Sequence, residues 1–346
     1  MPAGSLNHGW IYTDRAGSAA AGQTISAFYA ARYRHSERRV WQLRLEAGEI
    51  HRNGQQLRAD GSLAPGDRLA WHRPPWHEPP VPDQWQVVHD DGDILVIDKP
   101  SGLPVLPAGG FLEHTVLRLI ERRQRDAAAT ATTGVPRPVH RLGRFTSGLL
   151  VLARRPGTRA WLSALLREST AAPAGSAAAD GTASNHGCRK LYRALTQAGP
   201  LPIAAGEQLE IHTPIGRWPH PLLGQVWAAA SPAGEAPGAA SSGPAAAPLP
   251  AWSELHLLQV RPQAHLVEVA IRSGRPHQIR IHAACIGTPL LGDPLYLPGG
   301  LARPEALPGL GGYQLHAHRL VLPRPEGTWL ELEAPLPPAL ELEPGG

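Results

Sequence analysis

An α+β fold is predicted for this chain: a largely antiparallel mixed sheet carrying few helices, preceded by a small α/β module. Three observations predict it. Short strand-like runs bounded by glycine or proline dominate from about residue 85 onward. Helical periodicity is confined to a handful of stretches, and no regular β–α–β alternation joins the strands. Two tracts, 169–187 and 228–250, interrupt the pattern with Ala, Gly, Ser and Pro. Nearly lacking large apolar side chains, they cannot offset the entropy of ordering and read as mobile insertions.

Taken in order, residues 1–80 form a first unit with its linker. TISAFYAARYR reads as a helix with Ile25, Phe28 and Tyr29 on one face, and a second helix ends near Gly48. A strand then reaches Asn53-Gly54, a favoured hairpin turn, and LAPGDRLAW supplies another turn and strand. Arg32, Arg34, Arg38, Arg39 and Arg44 cluster there, which suggests a small RNA-binding face. HRPPWHEPPVP, 72–82, is an extended proline-rich linker. In the second unit, 81–346, WQVVHDDGDILVIDKPSG is a hairpin turning at Asp90 to Asp93. EHTVLRLIERRQR and GTRAWLSALLRES are amphipathic helices. KLYRALTQ, SELHLLQV, HLVEVAIRSG and HRLVLPRP are strands.

Composition narrows the function. The 346 residues suffice for two domains, and no run approaches a membrane span. The opening residues lack a charged stretch followed by an apolar one, so no secretory signal is expected. Cys188 and Cys285 lie far apart, which fits a reducing, cytoplasmic setting better than a disulfide framework. Of the 33 basic residues only Lys99 and Lys190 are lysine, and the formal charge is +4. Arginine suits bidentate phosphate contacts and stacking on bases, so an anionic partner is favoured.

Two stretches concentrate reactive or hydrogen-bonding groups. PVHRLGRFTSGLLVLARR, 138–155, leads from His140, Arg141, Arg144, Thr146 and Ser147 into a buried strand, yet has no carboxylate, cysteine or lysine between 140 and 148. SGRPHQIRIHAACIG, 273–287, packs Gly274, Arg275, His277, Gln278 and Arg280 into seven residues. Its alternation from His277 reads as a strand with Ile279 and Ile281 inward and Gln278 and Arg280 aimed into a cleft. Asp293, in a turn-rich loop, reads as a cap for neighbouring amides. His316 and His318 stand two apart, but no third ligand matches their spacing, so no metal is expected. No phosphate-cradling glycine motif and no G-x-S-x-G elbow occurs, which leaves nucleotide cofactors and hydrolases unsupported.

In chain order these motifs resemble the RluA-type RNA pseudouridine synthases. ILVIDKPSGLPVLP is similar to the strand and turn that open that family's catalytic domain, and HRLGRFTSGLLVLAR to its signature loop. KLYRAL is similar to its tyrosine strand, SGRPHQIRIHAACIGTPLLGDPLY to its arginine motif, and LHAHRLVLPRP with LELEAPLP to its last strands. The first unit resembles an S4-like RNA-binding domain. The resemblance implies a pseudouridine synthase fold over 81–346 and isomerisation of a uridine in ribosomal or transfer RNA. It implies no cofactor or metal, no membrane association, and a monomer. It places Tyr192 as the ring that stacks on the extruded base and Arg280 as partner of the catalytic carboxylate. His140, Arg141, Arg144, Thr146, Arg275, His277 and Gln278 are implied as RNA contacts. The family's catalytic aspartate falls at Gly143, which has no side chain to act as base or nucleophile. Three readings follow: another acid serves, with Asp98 and Asp293 in matching motifs though suited to structural roles; the protein is a silent RNA-binding relative; or this branch manages without the carboxylate. An unpaired Arg280 would be costly, so some group is expected beside it.

Overall fold

The structure, a computed structural model, describes residues 6–126, 134–168, 188–230, 246–307, 309–324 and 326–343. The tract 169–187 and most of 228–250 lie outside the described residues. The chain divides into two units, residues 1–80 with 220–224 and residues 81–219 with 225–346.

The first unit runs β1 (Trp10–Arg15), α1 (Ile25–Arg32), α2 (Arg38–Glu46), β2 (Ile50–Arg52), β3 (Gln55–Gln56) and β4 (Arg68–Arg73). Its sheet has the order β1-β4-β2-β3. Helix α1 starts at Thr24, whose hydroxyl accepts from the Ala27 amide, and buries Ile25 and Tyr29. Asn53 and Gly54 both take positive φ, 51° and 86°, the geometry that a tight hairpin with right-handed strand twist requires. The core is aromatic: Tyr29 stacks on Trp41 at 4.7 Å, and Trp41 meets Trp71 edge-on at 4.8 Å. Three of the five clustered arginines are engaged internally. Arg32 pairs with Asp14, Arg38 donates to Ser26 and Thr24, and Arg44 lies 4.2 Å from the centre of the Trp41 ring.

The second unit continues with β5 (Gln86–Asp90), β6 (Ile94–Lys99), α3 (Val116–Asp126), β7 (Arg137–Pro138) and β8 (Thr146–Ala153). There follow α4 (Pro156–Glu168), β9 (Arg189–Gln197), β10 (Gln208–Ile211), β11 (Ile215–His220) and β12 (Gly224–Ala229). Last come β13 (Ser253–Val260), β14 (Ala264–Ile271), α5 (Gln278–Cys285), β15 (Leu315–Pro323) and β16 (Trp329–Glu333). A ten-stranded sheet has the order β10-β13-β14-β9-β15-β8-β6-β5, with β16 on β15 and β7 on β8. Among the described strand pairs only β15 with β8 is parallel. There the backbones approach closely: a Cβ on Gly148 would stand 2.3 Å from the Ala317 carbonyl oxygen. With φ at 98°, that position requires glycine.

Two apolar clusters flank the sheet's centre, one around β6, β8, α3 and α4, the other around β13, β14 and α5. One expectation is corrected. Residues 278–282 are the first turns of helix α5 and not a strand. Every side chain from Gln278 to Ala284 is buried. A helix enclosed on all sides shows no 3.6-residue polarity, and Ile279 and Ile281 then mimic a two-residue period.

Candidate active site

The two motif-bearing loops meet on one face of the sheet. Just before β8, His140 accepts a hydrogen bond at Nε2 from the Val151 amide at 3.0 Å, which fixes the loop against the strand it leads into. On β9, Tyr192 is paired between Val269 and Ala317, and the alanine leaves room above the sheet for the ring. A cavity of about 360 Å³ opens there, lined by His140, Arg141, Lys190, Tyr192, Gly274 and Arg275, with α4 closing one side. Burial, with Lys190 nearby, pulls the His140 imidazole down to about 3, so it is neutral at physiological pH. Lys190 is itself buried, donates to the Leu166 carbonyl at 3.0 Å, and has its ammonium shifted down by desolvation. Arg275 donates from Nε to the Pro250 carbonyl at 2.9 Å, and Arg141 is exposed at the cavity wall.

The same two motifs also build a polar corner. Arg280, one turn into α5, makes a bidentate pair with Asp293: Nε to Oδ2 at 2.6 Å and Nη2 to Oδ1 at 2.7 Å. Its side chain is 3% exposed and that of Asp293 is 0% exposed, so neither charge could stand there alone. Asp293 also caps the Leu295 amide, the role expected of it, and is in addition the carboxylate that Arg280 needs. The guanidinium lies 4.3 Å from the centre of the Tyr313 ring and 5.0 Å from that of Tyr296. His277 caps α5 in a left-handed conformation, φ 56°, with Nδ1 2.7 Å from the Tyr296 hydroxyl. Burial and then Arg280 push its imidazole down to about 3.

Gly143 is exposed, yet its side-chain direction is taken. A Cβ there would stand 2.2 Å from the Tyr313 hydroxyl oxygen. That oxygen is 3.2 Å from Thr146 Oγ1, and Phe145 meets the Tyr313 ring edge-on. Phe145, Tyr192 and Tyr313 belong to one apolar cluster, which joins corner to cavity.

The structure thus brings His140, Arg141, Tyr192 and Arg275 to one cavity and Gly143, Thr146, His277, Gln278 and Arg280 to the corner beside it. Gln278 turns inward. Its oxygen accepts from Ser273 and the Arg275 amide, and its nitrogen donates to Trp252 and Ser253, so it braces the loop. Thr146 is likewise buried on Tyr313. Arg144 packs 4.5 Å over Phe111 and donates to the Gly102 carbonyl at 3.0 Å, tying the signature loop to the turn after β6. Sequence reasoning missed Tyr313 and Lys190. Tyr313 has no local signal, whereas Lys190 stands two residues from Tyr192 on a strand and so shares its face.

A second cavity, about 320 Å³, is lined by Asp98, Ser147 and His316. His316, next to Ala317 in β15, points away from the Tyr192 side. Its Nδ1 lies 2.9 Å from Ser147 Oγ, while His318 meets the Ala334 carbonyl at 3.0 Å. No cluster of three potential metal ligands occurs among the described residues.

Comparison with known proteins agrees with this geometry. The family model for RNA pseudouridylate synthase matches residues 93–285, which hold both motif loops, Lys190 and Tyr192. The RNA pseudouridine synthase slr1592 of Synechocystis, itself uncharacterised, is 41% identical across 90% of this chain and 94% of its own length. RNA pseudouridine synthase 5 of Arabidopsis thaliana is 34% identical across 99% of this chain and 96% of its own. The human RNA pseudouridylate synthase domain containing 4 shares the fold, with a TM-score of 0.52 at 21% identity over 73% of this chain and 89% of that one. The chain belongs to the RNA pseudouridine synthases, isomerases of the RluA type that its motifs resemble.

Proposed function

We propose that the protein isomerises a uridine to pseudouridine within a structured ribosomal or transfer RNA, taking the base into the cavity beside Tyr192. The carrying observation is that one cavity of about 360 Å³ unites Tyr192, His140, Arg141 and Arg275 from three separate motifs. A pocket of that size admits one flipped base, whose extrusion costs a few kcal/mol and is offset by stacking and edge contacts. Tyr192 supplies the apolar face for stacking. His140, neutral and held by the Val151 amide, adds polarity without charge. Arg141 and Arg275 supply cations for the phosphates that flank the flipped nucleotide. Arg280 acts indirectly, by fixing Tyr313 and Asp293, and does not line the cavity. The first unit, read as an S4-like module, adds sequence-independent RNA affinity.

The test is to incubate the purified protein with ribosomal and transfer RNA and to map pseudouridine through chemical adducts that stop reverse transcription. A new stop at a defined uridine is expected. RNA that is bound but never altered, over a broad substrate set, would point instead to a silent RNA-binding relative.

A further inference from the structure

We propose, resting on the isomerase reading above, that the phenol of Tyr313 serves in this chain as the catalytic residue in the place left open by Gly143. The hydroxyl oxygen stands 2.2 Å from where a β-carbon on residue 143 would be, about the reach of the short arm by which an aspartate would present its carboxylate. No carboxylate could share that place, because the ring is locked. Tyr313 is 4% exposed, set edge-on to Phe145 and stacked against Arg280 at 4.3 Å. Arg280 is in turn occupied by Asp293 and needs no second carboxylate. A tyrosine hydroxyl therefore meets the exposed Gly143, with Thr146 as its hydrogen-bond partner, from a ring in the same apolar cluster as Tyr192.

A neutral phenol can perform the proton transfers that isomerisation needs. When the C1′–N1 bond breaks, its electron pair leaves with the uracil, and the phenol gives its proton to N1. The base turns over, and the C5–C6 π pair closes the C1′–C5 bond. The phenolate then takes the proton from C5, and the released C–H pair restores the C5–C6 double bond. One proton is given and one is taken back, so no other reactant is consumed. The guanidinium against the ring face meets the negative charge that the phenol carries in between.

The experiment uses the full chain and ribosomal and transfer RNA labelled with tritium at uridine C5, whose release to water counts turnovers. Tyr313→Phe should lower release roughly 100-fold or more, the usual worth of one proton-transfer group, while RNA affinity stays at the parent's value and the melting temperature falls only by the loss of one hydrogen bond to Thr146. Release at the parent's rate overturns the proposal while leaving the isomerase reading intact. A parent that releases no tritium sinks that reading, and the proposal with it. Should Tyr313→Phe fail to fold, 3,5-difluorotyrosine installed at position 313 keeps the hydroxyl and makes it more acidic. The alkaline edge of the rate profile should then move to lower pH, and an unmoved edge overturns the proposal.

Discussion

The cavity beside Tyr192 and the corner around Arg280 are built from the same two motifs and solve opposite problems. In the corner each charge and hydroxyl named has a partner within the fold: Arg280 with Asp293, Tyr313 with Thr146, Gln278 with four groups. In the cavity the cations are only partly engaged. Lys190 donates to the Leu166 carbonyl, Arg275 to that of Pro250, and Arg141 is exposed. By contrast Lys99, the other lysine, donates to three carbonyls, those of Pro100, Leu103 and Arg144, and is fully buried as a strut. A motif conserves its spacing along the chain while its residues split between a rigid frame and a surface left polar for a ligand. The difference teaches that hydrogen-bond saturation, more than motif membership, marks the residues that hold a site, and the Tyr313 hydroxyl beside Gly143 is the one corner group proposed to use it as well.

Breaking the corner should have the largest effect. Asp293→Asn leaves Arg280 buried without a counter-charge and should cost about 3–5 kcal/mol, read from urea unfolding. Replacing both partners by apolar residues of similar size should cost much less than the single change. Next, Gly143→Ala forces a methyl onto the Tyr313 hydroxyl and should destabilise by about 1–3 kcal/mol. Tyr313→Phe in that background removes the clashing oxygen and leaves Cζ at 3.5 Å, an ordinary contact, so stability should largely return. Comparable in size to the corner's loss, but felt only toward acid pH, is a proton-linked effect in the cavity. His140 titrates at about 3 when folded and near 6.5 when unfolded, so the unfolded chain takes up the proton first as pH falls. Stability should therefore be full above about 6.5 and decline toward 3 by about 1.4 kcal/mol per pH unit from this group. His140→Gln should flatten the acid limb of a stability profile by that slope. Smallest for the fold is Arg141→Ala, which should change stability by under about 0.5 kcal/mol. It should nonetheless weaken RNA binding and lower the salt-dependence slope by about 1, measured by filter binding across salt concentrations.

Most long strands of the second unit were legible because SELHLLQV and its neighbours alternate or run apolar between glycine and proline stops. The helix at 25–32 was legible through its apolar face, and the Asn53-Gly54 turn through turn chemistry. Helix α5 was not, since full burial erases its period. The hairpin of β11 and β12 was not legible as strands, because short strands interrupted by prolines carry little pattern. At the site, Tyr192 and the loop residues around His140 were readable from ordered motifs, whereas Tyr313 was invisible: it acts on residue 143 across 170 positions of chain. The group expected beside Arg280 is Asp293, one of the two acids the motifs offer, and it caps the Leu295 amide as well.

Strand β15 enters between β9 and β8, and its residues belong to both apolar clusters, Leu315 to one and Ala317, Leu320 and Leu322 to the other. Until it docks, the sheet is two unconnected ladders, β10 to β9 on one side and β8 to β5 on the other. During synthesis those ladders emerge first and wait for a keystone made after both, a connection of long sequence separation that closes slowly. Since Tyr313 lies just ahead of that keystone, a ribosome-bound, half-finished chain would expose two open strand edges and lack that hydroxyl beside Gly143. Open strand edges of that kind are the surface on which misassembly begins, so a central strand seated late lengthens the exposed interval.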